Sequence, residues 1–181
     1  PFVVCLESGS DWRYLDTVDD APPEDWNQTH FDDASWPSKP APLGFENGAE
    51  SRIDSGKEKG KKHSDGRMSF YFRNWFSLTR EELESLEPGT RLRLRLMRDD
   101  GAVIYLNGKE VLRSNMPEGE IRHDTWASAV VGGDNESRFY EYDLSLEGLQ
   151  VGENLIAVEV HQAKPQSSDV SFDLELSLGR F

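Results

Sequence analysis

The sequence lacks several features that would assign a protein to a common class. It contains a single cysteine, Cys5, among 181 residues, which excludes an intramolecular disulfide. Its apolar runs are far shorter than a transmembrane helix requires. Basic residues are also few: 20 stand against 34 acidic residues, and the net charge of −14 makes nucleic acids and anionic membranes poor partners. We therefore expect no nucleic acid binding and no membrane insertion.

Motifs of familiar catalytic sites are absent as well. The sequence has no His-Glu-x-x-His motif, no Gly-x-Ser-x-Gly motif and no phosphate-binding glycine loop. Its four histidines are scattered and do not form a zinc pattern. The paired carboxylates of a glycoside hydrolase are not recognisable from sequence, because their separation is a three-dimensional property. We predict a protein that is not an enzyme; a lyase or hydrolase built on a β scaffold is the weakest alternative.

The stretch from Arg98 to Val111 combines two turn signals with strand-forming segments. Before it, leucines alternate with arginines over residues 91–96, which predicts a strand with one buried face. Asp99-Asp100-Gly101 is a turn signal, residues 103–106 are strand-forming, and Asn107-Gly108 is typical of a two-residue hairpin turn. The sequence therefore predicts a three-stranded antiparallel meander with two carboxylates at its first bend.

Further strand-forming segments follow the same pattern of short runs between turn residues. They are residues 11–15, 70–77, 139–144, 155–161 and 170–176, with another candidate within 121–131. Thr79 and Glu82 can form a capping box that begins one short helix, which Pro88-Gly89 ends. We predict an all-β jelly-roll β-sandwich of about eight or more antiparallel strands with one short helix, as a single domain over residues 1–181.

Two irregular segments carry additional expectations. Residues 11–45 contain Trp12, Trp26 and Trp36, and we expect these rings to plug one end of the core. The alternative is a binding platform of exposed tryptophans. Residues 46–67 contain the one basic cluster and few apolar residues, which predicts a mobile surface loop.

The order of several motifs resembles one known family. The motifs are Asp11-Trp12-Arg13-Tyr14-Leu15-Asp16, Trp26-Asn27, Phe31-Asp32-Asp33-Ala34-Ser35-Trp36, Pro42-Leu43-Gly44-Phe45, Tyr71-Phe72-Arg73, Asp99 to Gly108, Asn115-Met116-Pro117, Ala157 to Gln162, and Ser167-Ser168-Asp169. This order resembles the galactose-binding-domain-like jelly rolls appended to large secreted bacterial and algal proteins, including some metallophosphatases and carbohydrate-active enzymes. The resemblance covers nearly the whole chain. It implies a secreted or extracellular module, excised from a larger multidomain protein, whose partners are carbohydrate and the other domains of the same polypeptide.

A shorter segment is similar to the lectin domain of the anthrax protective-antigen type. In that family an Asp-Asp pair before a hairpin strand binds calcium, which in turn holds sugar hydroxyls. Asp99-Asp100-Gly101 and Ile104 to Gly108 match this segment alone.

Calcium is the cofactor that the acidic loops favour, because it prefers six to eight oxygen ligands. The jelly-roll resemblance implies one structural ion between the first loop and the last strand. The candidate metal ligands there are Asp19, Asp32, Asp33, Asp173 and Glu175. The alternative is that these turn aspartates cap backbone amides without a metal.

Ligand binding is predicted where the polar segment 161–169 follows a strong strand. If the loops at residues 98–100 and 115 share that end of the sandwich, the ligand-binding residues are Arg98, Asp99, Asp100, Asn115, His161, Gln162, Ser168 and Asp169. His161 can equally be a structural histidine. The function predicted is a non-catalytic, calcium-stabilised carbohydrate-binding module, in which aromatic rings stack on sugars and carboxylates bind hydroxyls. The alternative is a structural or interaction domain that packs against a catalytic neighbour without binding sugar.

Overall fold

The computed structural model describes residues 2–16, 21–45, 51–53, 68–165, 167 and 169–181. These residues are mostly β-strands in two sheets packed face to face, so the predicted all-β sandwich is confirmed. In these ranges there is one α-helix, α1 (Arg80–Glu84), and one 3-10 turn, Gly133–Asn135. Neither has the length or the apolar character that crossing a lipid bilayer requires.

Sheet A, the first sheet, contains six strands in the described ranges, with all strands numbered in chain order. They are β1 (Val3–Leu6), β4 (Leu43–Phe45), β5 (Ser51–Arg52), β7 (Arg91–Asp99), β10 (Phe139–Leu144) and β12 (Val170–Gly179). Their order across the sheet is β10-β7-β12-β4-β5, and β1 also pairs with β12. The pairings are antiparallel except for the parallel pair of β4 and β5.

Sheet B, the second sheet, also contains six described strands. They are β2 (Asp11–Leu15), β3 (Ser38–Pro40), β6 (Ser69–Leu78), β8 (Gly101–Leu106), β9 (Lys109–Ser114) and β11 (Gly152–His161). Their order is β3-β2-β6-β11-β8-β9, with every neighbouring pair antiparallel. The long central pair, β6 and β11, is in register from Gly152 opposite Leu78 to His161 opposite Ser69.

The core lies between the two sheets and follows from the alternation of side chains along each strand. Leucines of β7 and β12 face the aliphatic and aromatic residues of β6 and β11. Trp12 is completely buried here, and its ring meets Phe172 edge-on at 4.9 Å, while Phe72 stacks on Phe172 at 4.2 Å. Burial of these large apolar surfaces is the main stabilising contribution to the sandwich.

The predicted three-stranded meander is wrong, because β7 and β8 belong to different sheets. Asp99 at the end of β7 is opposite Ser171 of β12, whereas Gly101 at the start of β8 is opposite His161 of β11. The chain therefore crosses from sheet A to sheet B at Asp100. The β8–β9 hairpin forms as predicted. In β7, leucines alternate with arginines, which suits a strand with one face exposed. In β8, residues 101–104 are all buried, which suits a sheet that is covered on both sides.

The hairpin turn between β8 and β9 is held by its asparagine. Asn107 and Gly108 have positive φ values of 50° and 85°, as a two-residue hairpin turn requires. The Asn107 Nδ2 atom donates to Gly148 O and to Asn154 Oδ1, each at 2.9 Å, and its Oδ1 accepts from Leu155 N at 2.7 Å. The turn is thereby fastened to the start of β11.

The helix begins as predicted. The Thr79 hydroxyl accepts from Glu82 N at 3.1 Å, and Glu82 Oε2 accepts from Thr79 N at 2.7 Å, which completes the capping box. By contrast, residues 121–131 contain no strand, and a turn there joins Thr125 N to Arg122 O. The predicted loop 46–67 lies outside the described residues except for 51–53, which include β5.

The tryptophans of the first loop do not plug an end of the core. Trp26 and Trp36 instead pack on the outer face of sheet B against Tyr71, Leu155 and Ala157. The physical reason is that β6 and β11 are apolar on both faces, so their outer face also needs a cover. We call this second apolar group the outer cluster.

Candidate functional site

An open cleft of about 490 Å³ lies on the outer face of sheet B, beside the outer cluster. Tyr71, Tyr105 and Glu159 form its floor, and they project from β6, β8 and β11. Trp26 lines one side. The rim comes from two loops, residues 21–27 and residues 120–123. A cleft of this volume is large enough for a small-molecule or saccharide ligand.

Arg73 fixes the first rim loop onto the sheet. Its side chain is completely buried, and Nε donates to Asp33 Oδ2 at 2.7 Å. Its Nη atoms donate to the backbone carbonyls of Trp26, Gln28 (3.1 Å) and Phe31 (3.3 Å). A single guanidinium therefore satisfies three loop carbonyls and one carboxylate, which holds Trp26 beside the cleft.

Glu159 occupies the floor through contacts on both of its oxygens. The Tyr105 hydroxyl donates to Glu159 Oε1 at 2.6 Å. Glu159 Oε2 lies 3.1 Å from His161 Nε2, although the pair is not aligned as a hydrogen bond. The other ring nitrogen of His161, Nδ1, is 2.8 Å from Thr125 O. His161 thus links the cleft floor to Thr125, two residues beyond the second rim loop.

The second floor tyrosine is held through a serine. The Tyr71 hydroxyl lies 2.9 Å from Ser69 Oγ, and Ser69 Oγ donates to His123 O at 3.0 Å. Burial raises the pKa of both Tyr71 and Tyr105, and the negative charge of Glu159 raises each pKa further. Both phenols are therefore neutral at physiological pH.

The structure brings most of the predicted ligand-binding residues together at one end of the sandwich. Asp100 is the centre of this polar end: its Oδ1 accepts from Val131 N at 2.6 Å and its Oδ2 from Ala163 N at 2.8 Å. Asn115 Nδ2 donates to Asp100 O at 3.1 Å, and Asp100 N donates to His161 O at 3.3 Å. The loops at residues 98–100, 115 and 161–169 therefore share one end.

Most of these side chains are buried rather than displayed. Arg98, Asp99, Asp100, His161 and Gln162 are between 0% and 6% exposed. Asn115 and Asp169 are partly exposed, and Ser168 lies outside the described residues. Ligand binding by these residues stays a prediction. The buried members of the set stabilise the loops around them through hydrogen bonds.

Two neighbouring side chains show how these supports are engaged. Arg98 Nε donates to Ser114 Oγ at 2.8 Å, and its guanidinium lies 4.2 Å from the centre of the Tyr140 ring. Gln162 Nε2 donates to Asp169 O at 2.8 Å. These contacts tie β7, and the loop that follows β11, to the loops and strands beside them.

Asp99 is the most perturbed carboxyl group at the polar end. Burial, followed by the charge of Asp100, raises the pKa of Asp99 to about 9. Within the described ranges, Asp99 Oδ2 and Gln162 Oε1 are buried acceptors without a hydrogen-bond partner. Oxygens of this kind are what a calcium ion uses, so this end fits the short lectin resemblance in donor type.

The predicted calcium ligands of the first loop lie on the outer side of sheet B. Asp33 pairs with Arg73, and Asp32 Oδ1 accepts from Ala34 N at 2.9 Å in a local turn. Asp19 lies outside the described residues. Asp32 therefore follows the alternative of a turn cap, and Asp33 is neutralised by a guanidinium.

The predicted calcium ligands of the last strand lie on the opposite outer face. Asp173 Oδ2 accepts from Ser8 Oγ at 2.6 Å, and Glu175 pairs with Arg95 at 2.8 Å. Because the sandwich separates them from Asp32 and Asp33, the structure does not bring the described members of this set together. In the described ranges, no group of three or more His, Cys, Asp or Glu side chains is placed to hold a metal ion.

Sequence reasoning missed the floor of the cleft. One signal was available: Glu159 interrupts the apolar run of β11, and a charged residue within a buried strand needs a partner. Tyr71 and Tyr105 carried no such signal, because aromatic residues are ordinary in strands. Their convergence depends on the register between β6, β11 and β8.

The fold and the cleft together define a β-sandwich module with a ligand-sized surface cleft. No protein-family model and no curated protein sequence matches the chain. Similarity therefore appears in the fold alone, among solved structures.

Similar folds occur in large glycoside hydrolases. Bacteroides uniformis β-glucuronidase 2, covalently bound to cyclophellitol-6-carboxylate aziridine, is similar with a TM-score of 0.59 and 18% identity over 98% of this chain. A glycosyl hydrolase family 2 member from Bacteroides cellulosilyticus gives 0.58 and 16% over 96%. A β-glucuronidase from an uncultured Clostridium species gives 0.56 and 17% over 99%. The chain spans 18%, 20% and 29% of these three chains, respectively.

Proposed function

We propose that the chain is a non-catalytic carbohydrate-binding module of a larger, extracellular protein. The observation that carries the proposal is the cleft on sheet B, which combines aromatic surface with polar groups. A saccharide has apolar ring faces and many hydroxyls, so it needs both kinds of surface. The partly exposed Tyr105 supplies most of the aromatic surface, next to the 6% exposed Trp26, and Glu159 and the rim loops supply the polar groups.

Two further observations support a module without catalysis. Similar folds form only a fraction of much longer glycoside hydrolases, which supports membership of a multidomain polypeptide. Asp99, the carboxyl group whose pKa is raised to about 9, is 1% exposed and does not line the cleft. A glycosidase acid with such a pKa would have to face its substrate.

Calcium is part of the proposal as a structural ion at the polar end. Asp99 and Gln162 are the residues that would hold it, since their buried oxygens Oδ2 and Oε1 are free of hydrogen bonds within the described ranges. The ion would neutralise buried carboxylate charge there. We expect the unfolding midpoint to rise when calcium is added to protein treated with EDTA, because the ion binds the folded state. An unchanged midpoint would contradict this part of the proposal.

A glycan array in calcium-containing buffer tests carbohydrate binding, followed by titration calorimetry with the best ligand. Asn27→Ala and His123→Ala on the cleft rim each remove one polar group, and each should weaken binding by about fivefold, the value of one hydrogen bond. Arg95→Ala, on the outer face of sheet A, is the matched control and should bind normally. Binding of no glycan, or equal loss in the control, would contradict the proposal.

A second candidate function is docking against a catalytic neighbour. A groove of about 500 Å³ runs along β10, the edge strand of sheet A, and it includes Phe139, Tyr140 and Tyr142. Edge strands and aromatic grooves are common at protein interfaces. An array without any bound glycan, together with association of the chain with the adjacent domain of its own polypeptide, would favour this function.

A further inference from the structure

The charges around the cleft are predominantly negative. Glu24 and Glu120 are exposed on its rim, and Glu159 lies on its floor. Among the described lining residues, Arg122 is the one permanent cation, and its Nε lies 3.2 Å from Asp124 Oδ1. The charge of Arg122 is thus matched locally, and the described lining residues give the cleft an unbalanced negative potential on a chain of net charge −14.

The hydrogen bonds of the floor have a defined direction. Tyr105 gives its only hydroxyl hydrogen to Glu159 Oε1. Ser69 gives its only side-chain hydrogen to His123 O, so in the contact between Ser69 and Tyr71 the phenol must be the donor. Both tyrosine hydrogens are therefore committed to protein acceptors. Tyr71 is completely buried, so what the floor retains for a ligand is the acceptor capacity of the partly exposed Tyr105 phenol and of the Glu159 carboxylate, which is 5% exposed.

We infer that the cleft selects saccharides that present hydroxyl or ammonium groups and excludes uronates. A hydroxyl or an ammonium donates to phenol and carboxylate oxygens. A carboxylate has no hydrogen to donate at neutral pH, and it would be placed against like charges from Glu24, Glu120 and Glu159. This inference rests on the proposed function and adds the chemical class of the ligand.

Matched oligosaccharides separate the classes. The probes are β-1,4-linked tetramers of glucose, glucosamine and glucuronic acid, and α-1,4-linked tetramers of galactose, galactosamine and galacturonic acid. Relative to the neutral member of its series, each amino sugar differs only at C2 and each uronate only at C6. In calorimetric titrations at low salt, we expect the neutral or amino member to bind at least about tenfold more tightly than the uronate, a difference of about 1.4 kcal/mol. The difference should shrink at high salt, where charge repulsion is screened.

The rim charges provide a variant that does not disturb the floor. The double variant E24K/E120K should bring uronate affinity to within about threefold of the neutral sugar, because it reverses two repulsive charges. Its control, E81K/E84K, makes the same charge change on exposed positions of α1 and should leave the discrimination unchanged. Thermal unfolding of both variants verifies that the fold is intact.

The outcomes distinguish the inference from the function on which it rests. Uronate binding as tight as or tighter than the neutral and amino sugars overturns the inference but leaves carbohydrate binding intact. Discrimination that the rim and control variants change equally also overturns it, since the selectivity then lies outside the cleft. If none of the six probes binds and the array is empty, the proposed function fails and the inference fails with it.

Discussion

The outer faces of the two sheets place their arginine side chains in contrasting environments. On sheet A, arginines of β7 lie between acidic residues of β10 and β12. Arg93 pairs with Asp143 at 3.0 Å and Arg95 with Glu175 at 2.8 Å, and these four side chains are 26–37% exposed. On sheet B, loops cover the face, and the outer cluster is buried beneath them with a single completely buried arginine, Arg73. The difference shows that similar ion pairs can contribute very differently to the stability of the fold.

Solvent access explains why. An exposed pair gains little, because water screens its attraction and its long side chains lose freedom. A buried guanidinium has no water to replace a lost partner, and each of its acceptors would be left unsatisfied. Arg73 therefore holds the first rim loop on sheet B, whereas Arg95 forms an ion pair on the outer face of sheet A that contributes little to stability.

Replacing the two arginines is the strongest test of this comparison. We expect Arg73→Ala to lower the free energy of unfolding by roughly 3–5 kcal/mol, because it strands Asp33 and three loop carbonyls. Arg95→Ala should cost about 0–1 kcal/mol. Urea unfolding followed by tryptophan fluorescence measures both.

Arg73→Lys sharpens the result, since it keeps the charge but loses the planar fork of donors. Its stability should lie between those of the wild type and Arg73→Ala. Similar losses for Arg73→Ala and Arg95→Ala would contradict the distinction between the faces.

We expect an effect of intermediate size on the pH dependence of stability, which arises from Asp99 in the turn that joins the two sheets. The native state holds its proton up to a pKa of about 9, whereas the unfolded chain releases it near the ordinary value of 3.8. Between these values the native state binds more protons, so stability falls as pH rises from about 4 to about 9. Asp99→Asn should remove this part of the slope when unfolding is measured across pH in EDTA.

Calcium provides the control for that measurement. An ion beside Asp99 would favour the ionised form and flatten the wild-type slope without affecting Asp99→Asn. Parallel pH profiles for the wild type and the variant in EDTA would show that Asp99 ionises normally.

The smallest expected effect concerns Cys5 on β1 at sheet A. Burial, followed by the charge of Glu82, raises the pKa of the Cys5 thiol to about 12. Because the thiolate is the reactive form, iodoacetamide at pH 8 should alkylate folded protein slowly and unfolded protein rapidly. Glu82→Gln should increase the folded rate only slightly, as burial is the larger cause. Equal rates for folded and unfolded protein would refute the prediction.

Local patterns predicted the strands but not which sheet each strand joins. The alternation over residues 91–96 and the Asn107-Gly108 turn correctly gave β7 and the β8–β9 hairpin, because backbone and side-chain period act locally. The crossing at Asp100 depends on long-range partners in β11 and β12, which no local pattern specifies. The short strands β1, β3, β4 and β5 form through pairing rather than propensity, and they were not predicted.

The candidate site was less predictable than the fold, for the same physical reason. The polar loops were correctly expected to meet at one end, yet burial of Asp99, Asp100 and His161 depends on packing that the sequence does not display. The cleft arises from three strands and two loops that are distant in the chain. The one local sequence signal for the cleft was Glu159, a charged residue within an apolar run.

The fastening of the β8–β9 turn has a consequence for the chemical ageing of the protein. An asparagine followed by glycine deamidates readily in a flexible chain, because the glycine nitrogen attacks the side-chain carbonyl. In the folded protein the Asn107 side chain is engaged through both its amide nitrogen and its oxygen. The contacts that set the hairpin register therefore also protect this amide, and damage at the turn should begin only after the module has opened.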